Sequence, residues 1–549
     1  MSHTETDVCI VGSGAGGGPV ALTLARAGFK VVVLEKGHLY KTEEFVHDEI
    51  LNSRRNFFMP YPWEEPHLIR YSEHDDFERS NAAWLANCVG GGTVHMSGYF
   101  YRLKPVDFRM VSMLGKPPGS EVVDWPIAYQ DLAPFYDEAE AELGVSGAVE
   151  PHPFAEPRSK PYPLPPLNAH PISAEIDRVC KKLGLHPLTT ARGIVSRDYQ
   201  GRSACAYCGL CGSYGCEVDA KSGTHVALIP KALETGNLDL RPRSMAKSIE
   251  VDSHGLAKSV VYLNEKGETE EQPAKVVVVS CSAIESARLL LNSQSAKYPK
   301  GLSNNAGQVG RHLHFSGFGE SRAHFSISAR KEKWPWLADS APFVLRSIQD
   351  WYVVKDQPFK KGGTLDFVWT HPNPIFAAQH LAGEGKEGIF GKVFKDKLRE
   401  YRDQKILQFE TYAEYLPNPK SFMDVDPDTL DKYGLPVARI QAVRHPHDKK
   451  MLKYLVDRGE EILKEMQPEA LERRADDGVT TILQGGTCRF GKDPATSVLD
   501  PSCRSHEVKN LYVVDGSFMP SSGGVTPTLT IVANGFRVGH GMVETLKRG

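Results

Sequence analysis

An α/β fold joined to a second domain built on an antiparallel sheet is what this sequence predicts, on three observations. The chain opens with "DVCIVGSGAGGGPVALTLARAGFKVVVLEKG", a strand–turn–helix–strand pattern that starts a doubly wound parallel sheet. Its 549 residues exceed what one hydrophobic core holds, so two or more domains are expected. Far downstream, "GTLDFVWTHPNP" and "KILQFETYAEYLPNP" alternate apolar and polar residues at the period of two that marks strands.

The opening unit carries a ligand signature. Val8, Ile10 and Val11 form a short apolar run that stops at Gly12. Gly12, Gly14 and Gly17 then spell G-x-G-x-x-G, and the next strand ends at Glu35. The glycines allow a sharp turn, close backbone approach to a pyrophosphate and tight helix–strand packing. The helix N-terminus offers free N–H groups to the phosphates, and Glu35 is placed to accept hydrogen bonds from a ribose. A bare glycine motif is weak evidence, but here strand, helix, strand and acid follow in order. The unit therefore reads as a Rossmann-like dinucleotide domain, and an acid at position 35 favours FAD or NAD over NADP.

Composition excludes other classes. A hydrophobic fraction of 41% and a charged fraction of 24% are those of a globular protein. A formal net charge of -3 lacks the basic excess that a nucleic-acid partner calls for. No apolar run reaches the roughly 18 residues of a membrane span. The segment "MSHTETDVCIVGSG" has neither a basic nor an apolar leader region, so the expected location is cytoplasmic, or periplasmic by export with a partner.

Two further stretches choose between FAD and NAD. They are "ANCVGGGTVHMSGYFYRLKPVDF", residues 86–108, and "NLYVVDGSFMPSSGGVTPTLTIVANGFRVG", residues 510–539. With the N-terminal fingerprint they resemble the glucose–methanol–choline (GMC) family of flavin oxidoreductases, in that family's order and separations. "VVVVSCSAIESARLLLNS", residues 276–293, resembles its strand-to-helix segment near the flavin. The resemblance implies FAD, held by Gly12, Gly14, Gly17, Glu35, Gly90, Gly91, Thr93, His95, Asp515, Gly516 and Thr528. His95 stands where some members attach the flavin covalently and others only pack a histidine against it; both readings stay open.

"SACAYCGLCGSYGCEVDAKSG", residues 203–223, places Cys205, Cys208, Cys211 and Cys216 close together in a chain of ten cysteines. C-x2-C-x2-C-x4-C is denser than a structural zinc site and closer to iron–sulfur ligation from one loop. Zinc, and disulfides or free thiols, remain the alternatives. The family's gluconate, glucose and glucoside dehydrogenases carry a cysteine-rich insertion at a comparable place. That likeness implies a cluster (3Fe-4S or 4Fe-4S) relaying electrons to a cytochrome c or quinone, and a small export or chaperone subunit as partner.

The resemblance fails at the chemistry. Oxidation of an alcohol needs a base for the hydroxyl proton while the hydride leaves for the flavin. The family places a histidine four residues before the threonine of its G-T segment, and a histidine or asparagine before the last helix. Here Leu483 and Thr526 stand at those places, with Gln484 beside the first. Gln484 and Thr526 can hydrogen-bond a substrate but are not bases near neutral pH. His312 and His314 of "GRHLHFSGFG" are the better candidates for a base, since an extended segment puts them on one face. His445 and His447 of "VRHPHDKK" are the others.

The FAD-binding domain is expected from 1–40, 80–110, 200–310 and 485–549, and the substrate-binding domain with its covering segments from 41–79, 111–199 and 311–484. Residues 156–171 are too proline-rich for a helix or central strand, and 448–466 carry helical apolar spacing. The function expected is an FAD-dependent dehydrogenase of a sugar, glycoside or polyol hydroxyl. The alternative is a flavoprotein of this fold with lyase-like chemistry, or a catalytically silent subunit.

Overall fold

The computed structural model describes residues 4–53, 57–80, 82–83, 86–339, 343–358, 360–371, 373–383, 388–474 and 481–548. Three sheets organise them. In the first, β1 (Thr6–Val11) lies between β2 (Val31–Leu34) and β9 (Thr269–Val279), all parallel. Parallel β6 (Leu238–Arg241) and β17 (Leu511–Val513) flank them. The near-continuous Val, Ile and Leu content of β1, β2 and the end of β9 is that of strands covered on both faces. The helices Gly17–Arg26 and Thr528–Arg548 help cover the sheet and have buried apolar faces. β9 is long enough for two roles: its first half pairs antiparallel with β8 (Ala257–Leu263), which pairs with β7 (Met245–Val251).

The second sheet, β16-β10-β13-β12-β11-β5, is antiparallel throughout, as the alternating sequence predicts. Its strands are β5 (Pro187–Leu188), β10 (Glu320–Ser326), β11 (Ser347–Ile348), β12 (Gly363–Trp369), β13 (Gln404–Ala413) and β16 (Ala470–Arg474). Alternation divides its faces. Ala323, Phe325, Leu365, Phe367, Leu407 and Phe409 pack into a core shared with the helix Pro446–Glu465, the one expected over 448–466. Of the intervening residues, Tyr412 packs instead into the core of the first domain, against Tyr99.

A third sheet was not anticipated. It joins β3 (His67–Arg70) and β4 (Glu78–Ser80) to β14 (Ser421–Leu430) and β15 (Pro436–Ala442), segments more than 300 residues apart. The pairing of β3 with β15 is parallel, which no local pattern reveals. Residues 156–171 form neither helix nor strand, as their prolines require. No helix among the described residues is long and apolar enough to cross a membrane.

Candidate active site

The strands of the first sheet end at one edge, and a cavity of about 530 Å³ opens there. The residues that follow four of those strands line it: Gly12 after β1, Glu35 after β2, Ser280 after β9 and Asp515 after β17. This is where parallel α/β sheets bind ligands, because the turns leave backbone N–H groups and helix N-termini facing outward.

Gly12 adopts φ +98°, and a Cβ there would lie 2.2 Å from the Ser280 carbonyl oxygen. The carboxylate of Glu35 braces the same turn. Its Oε2 accepts from the Ser13 N–H at 3.0 Å and hydroxyl at 2.7 Å, and its Oε1 from the Gly37 N–H at 2.9 Å. Asp515 Oδ1 accepts from the Ser517 N–H at 2.9 Å and Oδ2 from the Ser286 hydroxyl. Burial raises the Asp515 pKa, against those hydrogen bonds.

Two observations fit a dinucleotide cofactor. A Cβ on Gly14 would point into open space, its nearest neighbour the Gly90 oxygen at 3.9 Å. The Ser280 hydroxyl is buried at the cavity wall without a hydrogen-bond partner. Of the residues assigned to FAD, Gly12, Gly14, Glu35, Gly91, Thr93, His95, Asp515, Gly516 and Thr528 line the cavity. Gly17 and Gly90 instead stand behind it, Gly17 against Gly12 and Gly90 against His225 and Val94. His95 Nε2 is buried and unpartnered, its ring stacks on Phe58 at 5.5 Å, and burial lowers its pKa to about 4.

The candidates for catalysis separate. Gln484 and Thr526 line the cavity, but both are engaged with backbone. Gln484 accepts from Ile284 N–H at 2.8 Å and donates to the Ala83 oxygen, while Thr526 donates to the Tyr99 oxygen at 2.7 Å. Gln484 thus caps the helix Ala283–Asn292. Gln484→Leu strands that N–H and is expected to cost about 1–3 kcal/mol, read as a lower urea midpoint.

His312 and His314 are not in the cavity, which corrects their assignment. His312 takes φ +59°, so the segment is not extended and the period-two argument does not apply. Its Nδ1 pairs with Glu121 at 2.9 Å and its Nε2 with Gln308 at 3.0 Å. His314 donates to the Met519 oxygen at 3.1 Å, behind Gly485, and burial lowers its pKa to about 4. His445 Nε2 bonds the Pro118 oxygen at 3.0 Å, and neither His445 nor His447 lines the cavity. Leu483, where the family keeps a histidine, does line it.

The cysteine loop lies beside the cavity. Its residues Gly212 and Ser213 reach the cavity wall, and the Ser213 N–H bonds the His95 oxygen at 2.7 Å. Yet all ten cysteines are free, and among the described residues no three His, Cys, Asp or Glu side chains are arranged to hold a metal ion. The loop wraps the Lys221 ammonium, which donates to the carbonyls of Cys211, Tyr214 and Val94. Cys205, Cys211 and Cys216 turn into an apolar cluster with Ile194, Val195 and Leu345. Burial pushes the Cys205 thiol up to about 12. Cys208 is exposed.

Sequence reasoning missed the wall facing the glycines. Phe318, Glu410, Tyr412 and Tyr99 close the cavity on the side of the antiparallel sheet. The available signal was a glutamate at an alternating position of a mostly buried strand, "ILQFETYA".

Comparison with known proteins agrees with this geometry. Family models described as GMC oxidoreductase match residues 165–316 and 417–535, and one described as an FAD binding domain matches 7–43. The chain is 32% identical to 2-methyl-1,2-propanediol dehydrogenase of Mycolicibacterium austroafricanum, over 98% of its own length and 95% of that protein's. It is 25% identical to the fructose dehydrogenase large subunit of Gluconobacter japonicus, over 99% of each chain. Pyridoxine 4-oxidase from Mesorbium loti superposes with a TM-score of 0.64 at 15% identity, over 98% of this chain and 99% of that one, a likeness of fold alone.

Proposed function

The chain belongs to the GMC oxidoreductase family, an FAD-binding family of dehydrogenases and oxidases, and on that premise we propose that it dehydrogenates a hydroxyl of a neutral polyol, sugar or glycoside. The observation that carries this reading is the cavity itself, a glycine-lined dinucleotide cradle on one side and an aromatic and acidic wall on the other. FAD bound there supplies the hydride acceptor. The residues of the chain hold and orient: the glycine turns and Glu35 the dinucleotide, Tyr99, Phe318 and Tyr412 the substrate. A carboxylate in that wall opposes an anionic sugar acid, which is why the substrate is taken to be neutral.

Anaerobic mixing of the purified flavoprotein with substrates tests this. Flavin absorbance is expected to bleach with 1,2-propanediol or D-glucose and not with D-gluconate. If dithionite bleaches it and no neutral alcohol does, Leu483 in place of the histidine becomes the leading fact, and the lyase-like or silent reading takes over.

The acceptor and partners are finer proposals. An iron–sulfur relay to a cytochrome or quinone is supported by the cysteine spacing and by the loop's place against the cavity. It is opposed by the arrangement of the thiols. An EPR signal, as isolated or after dithionite, that is lost in Cys211→Ser would establish it, and silence in both states at full flavin content would remove it. A small partner subunit, and periplasmic rather than cytoplasmic residence by joint export, rest on likeness to a relative named as a large subunit. Cell fractionation with co-purification checks both.

A further inference from the structure

We propose that Glu410 takes the proton from the substrate hydroxyl, the role for which this chain has no histidine at the family's position. The inference rests on the reading of the cavity as an alcohol-oxidising site. Glu410 belongs to β13, whose alternation turns Gln408, Glu410 and Tyr412 away from the core that holds Leu407 and Phe409. Glu410 and Tyr412 both line the cavity.

The carboxylate is held from two sides. The Tyr412 hydroxyl donates to Oε2 at 2.8 Å, and Gln408 Nε2 donates to Oε1 at 2.9 Å. A carboxylate accepts about four hydrogen bonds. Two fix its orientation, and lone pairs remain for a hydroxyl arriving from the cavity.

The surroundings tune it. In register on the adjacent strands stand Glu320 of β10 and Asp366 of β12. Glu320 pairs with Arg322 at 3.0 Å, and Asp366 accepts from the Tyr101 hydroxyl. Below them lie Tyr99, its ring 5.7 Å from that of Tyr412, and Arg192, stacked on Tyr99 at 3.9 Å. Burial first, then the Glu320 charge, raises the proton affinity of Glu410. Tyr412, Gln408 and Arg192 act the other way, and the net direction is up. A carboxylate shifted toward neutrality is better matched to a hydroxyl proton than an ordinary one.

Other acids at the cavity are committed. Glu35 and Asp515 follow strands of the parallel sheet and brace the turns on the dinucleotide side, and Glu285 pairs with Arg288 at 3.1 Å. His95, lowered to about 4, is a weak proton acceptor.

The step balances. The O–H bond breaks and its proton goes to a Glu410 carboxylate oxygen, while the bonding pair becomes the second bond of a carbonyl. The C–H bond breaks and the hydride, with both electrons, passes to the bound FAD, the oxidant. Solvent then takes the proton from Glu410.

The test is Glu410→Gln in the flavin-loaded protein, with 1,2-propanediol and D-glucose as probes. The rate of flavin bleaching is expected to fall by about 10²–10⁴-fold at unchanged flavin content. The wild-type rate should rise with pH to a plateau, its midpoint above the ordinary glutamate range, and that dependence should vanish in the variant. Difference infrared spectra across the same pH range should show one titrating carboxyl component that the variant lacks. Wild-type rate and pH profile in Glu410→Gln would overturn the proposal, as would a pH profile that follows His95→Asn instead. Should Glu410→Gln not fold, Glu410→Asp decides: a slower rate with the pH dependence kept supports the base, and an unchanged rate and midpoint refutes it. Wild-type protein that no alcohol bleaches would defeat the underlying reading, and the base with it; failure confined to Glu410→Gln leaves that reading standing.

Discussion

Gly12→Ala is expected to purify with little or no flavin. Residue 12 is held at φ +98°, a region that costs an L-residue roughly 1–2 kcal/mol. Strain is the lesser part. The new Cβ would sit 2.2 Å from the Ser280 oxygen and 2.8 Å from the Ser280 carbon, both backbone, at the point where β1 and β9 run side by side. One strand end must move, and both strand ends line the cavity. A displaced cradle loses phosphate hydrogen bonds, and about a hundredfold weaker flavin binding corresponds to ~2.7 kcal/mol. Gly28→Ala isolates the strain. Gly28 has φ +91°, yet a Cβ there meets nothing within 4 Å. Gly28→Ala should therefore lose roughly 1–2 kcal/mol of stability and keep its flavin. The ratio of flavin to protein absorbance, with circular dichroism for the fold, reads both variants. Full flavin in Gly12→Ala would show that the cradle lies elsewhere.

Arg288→Met is expected to destabilise the protein by about 3–5 kcal/mol at neutral pH. The buried guanidinium ties the helix Ala283–Asn292 to the third sheet. It pairs with Asp431 at 2.5 Å and Glu285 at 3.1 Å, and donates to the Pro436 oxygen at 2.7 Å. Removing it leaves the buried Asp431 carboxylate without its cation and Glu285 with only His67 and Lys36 beside it. The pH dependence identifies this cause. Burial alone would raise the Glu285 pKa, but Arg288, His67 and Lys36 outweigh it and hold the carboxyl well below its usual range. A depressed folded pKa gives stability that is complete above the unfolded value, about 4.3, and is lost as pH falls toward the folded one. Without Arg288 only His67 and Lys36 oppose burial, so the carboxyl pKa rises. Protonation then relieves the variant, so the gap from wild type should narrow between neutral pH and pH ~4. Urea midpoints at the two pH values measure it. A gap that stays constant would assign the loss to packing rather than charge.

The dinucleotide end of this protein was legible because its requirements are local. A strand that stops at Gly12, a helix that follows, and an acid closing the next strand lie within the first 35 residues, and each residue type answers a backbone need of its own turn. Asp515 and Thr528 were legible for the same reason, each at a strand end or helix start visible in its own neighbourhood. The substrate side is different in kind. Alternation in "KILQFETYA" says that Gln408, Glu410 and Tyr412 share a face. It does not say whether that face meets the helix Pro446–Glu465 or the flavin cavity. Packing decided it, because Leu407 and Phe409 complete an apolar core only when the other face turns inward to the first domain.

His312 and His314 show the converse. The sequence put two histidines in what reads as an extended segment, and one left-handed residue at 312 sent them to separate partners. The cysteine spacing likewise defines a loop but not the direction of its thiols, which the Lys221 ammonium and a nearby apolar cluster determine. The sequence by itself thus determined the fold class and the glycine turns of a dinucleotide site, since these depend on residues adjacent in the chain, and the cofactor through a family resemblance spread along it. Only the tertiary structure decided which acid of the antiparallel sheet faces the cavity. Glu410 and the glycine turn at Gly12 are almost 400 residues apart, and only the packing of two sheets brings them to one cavity.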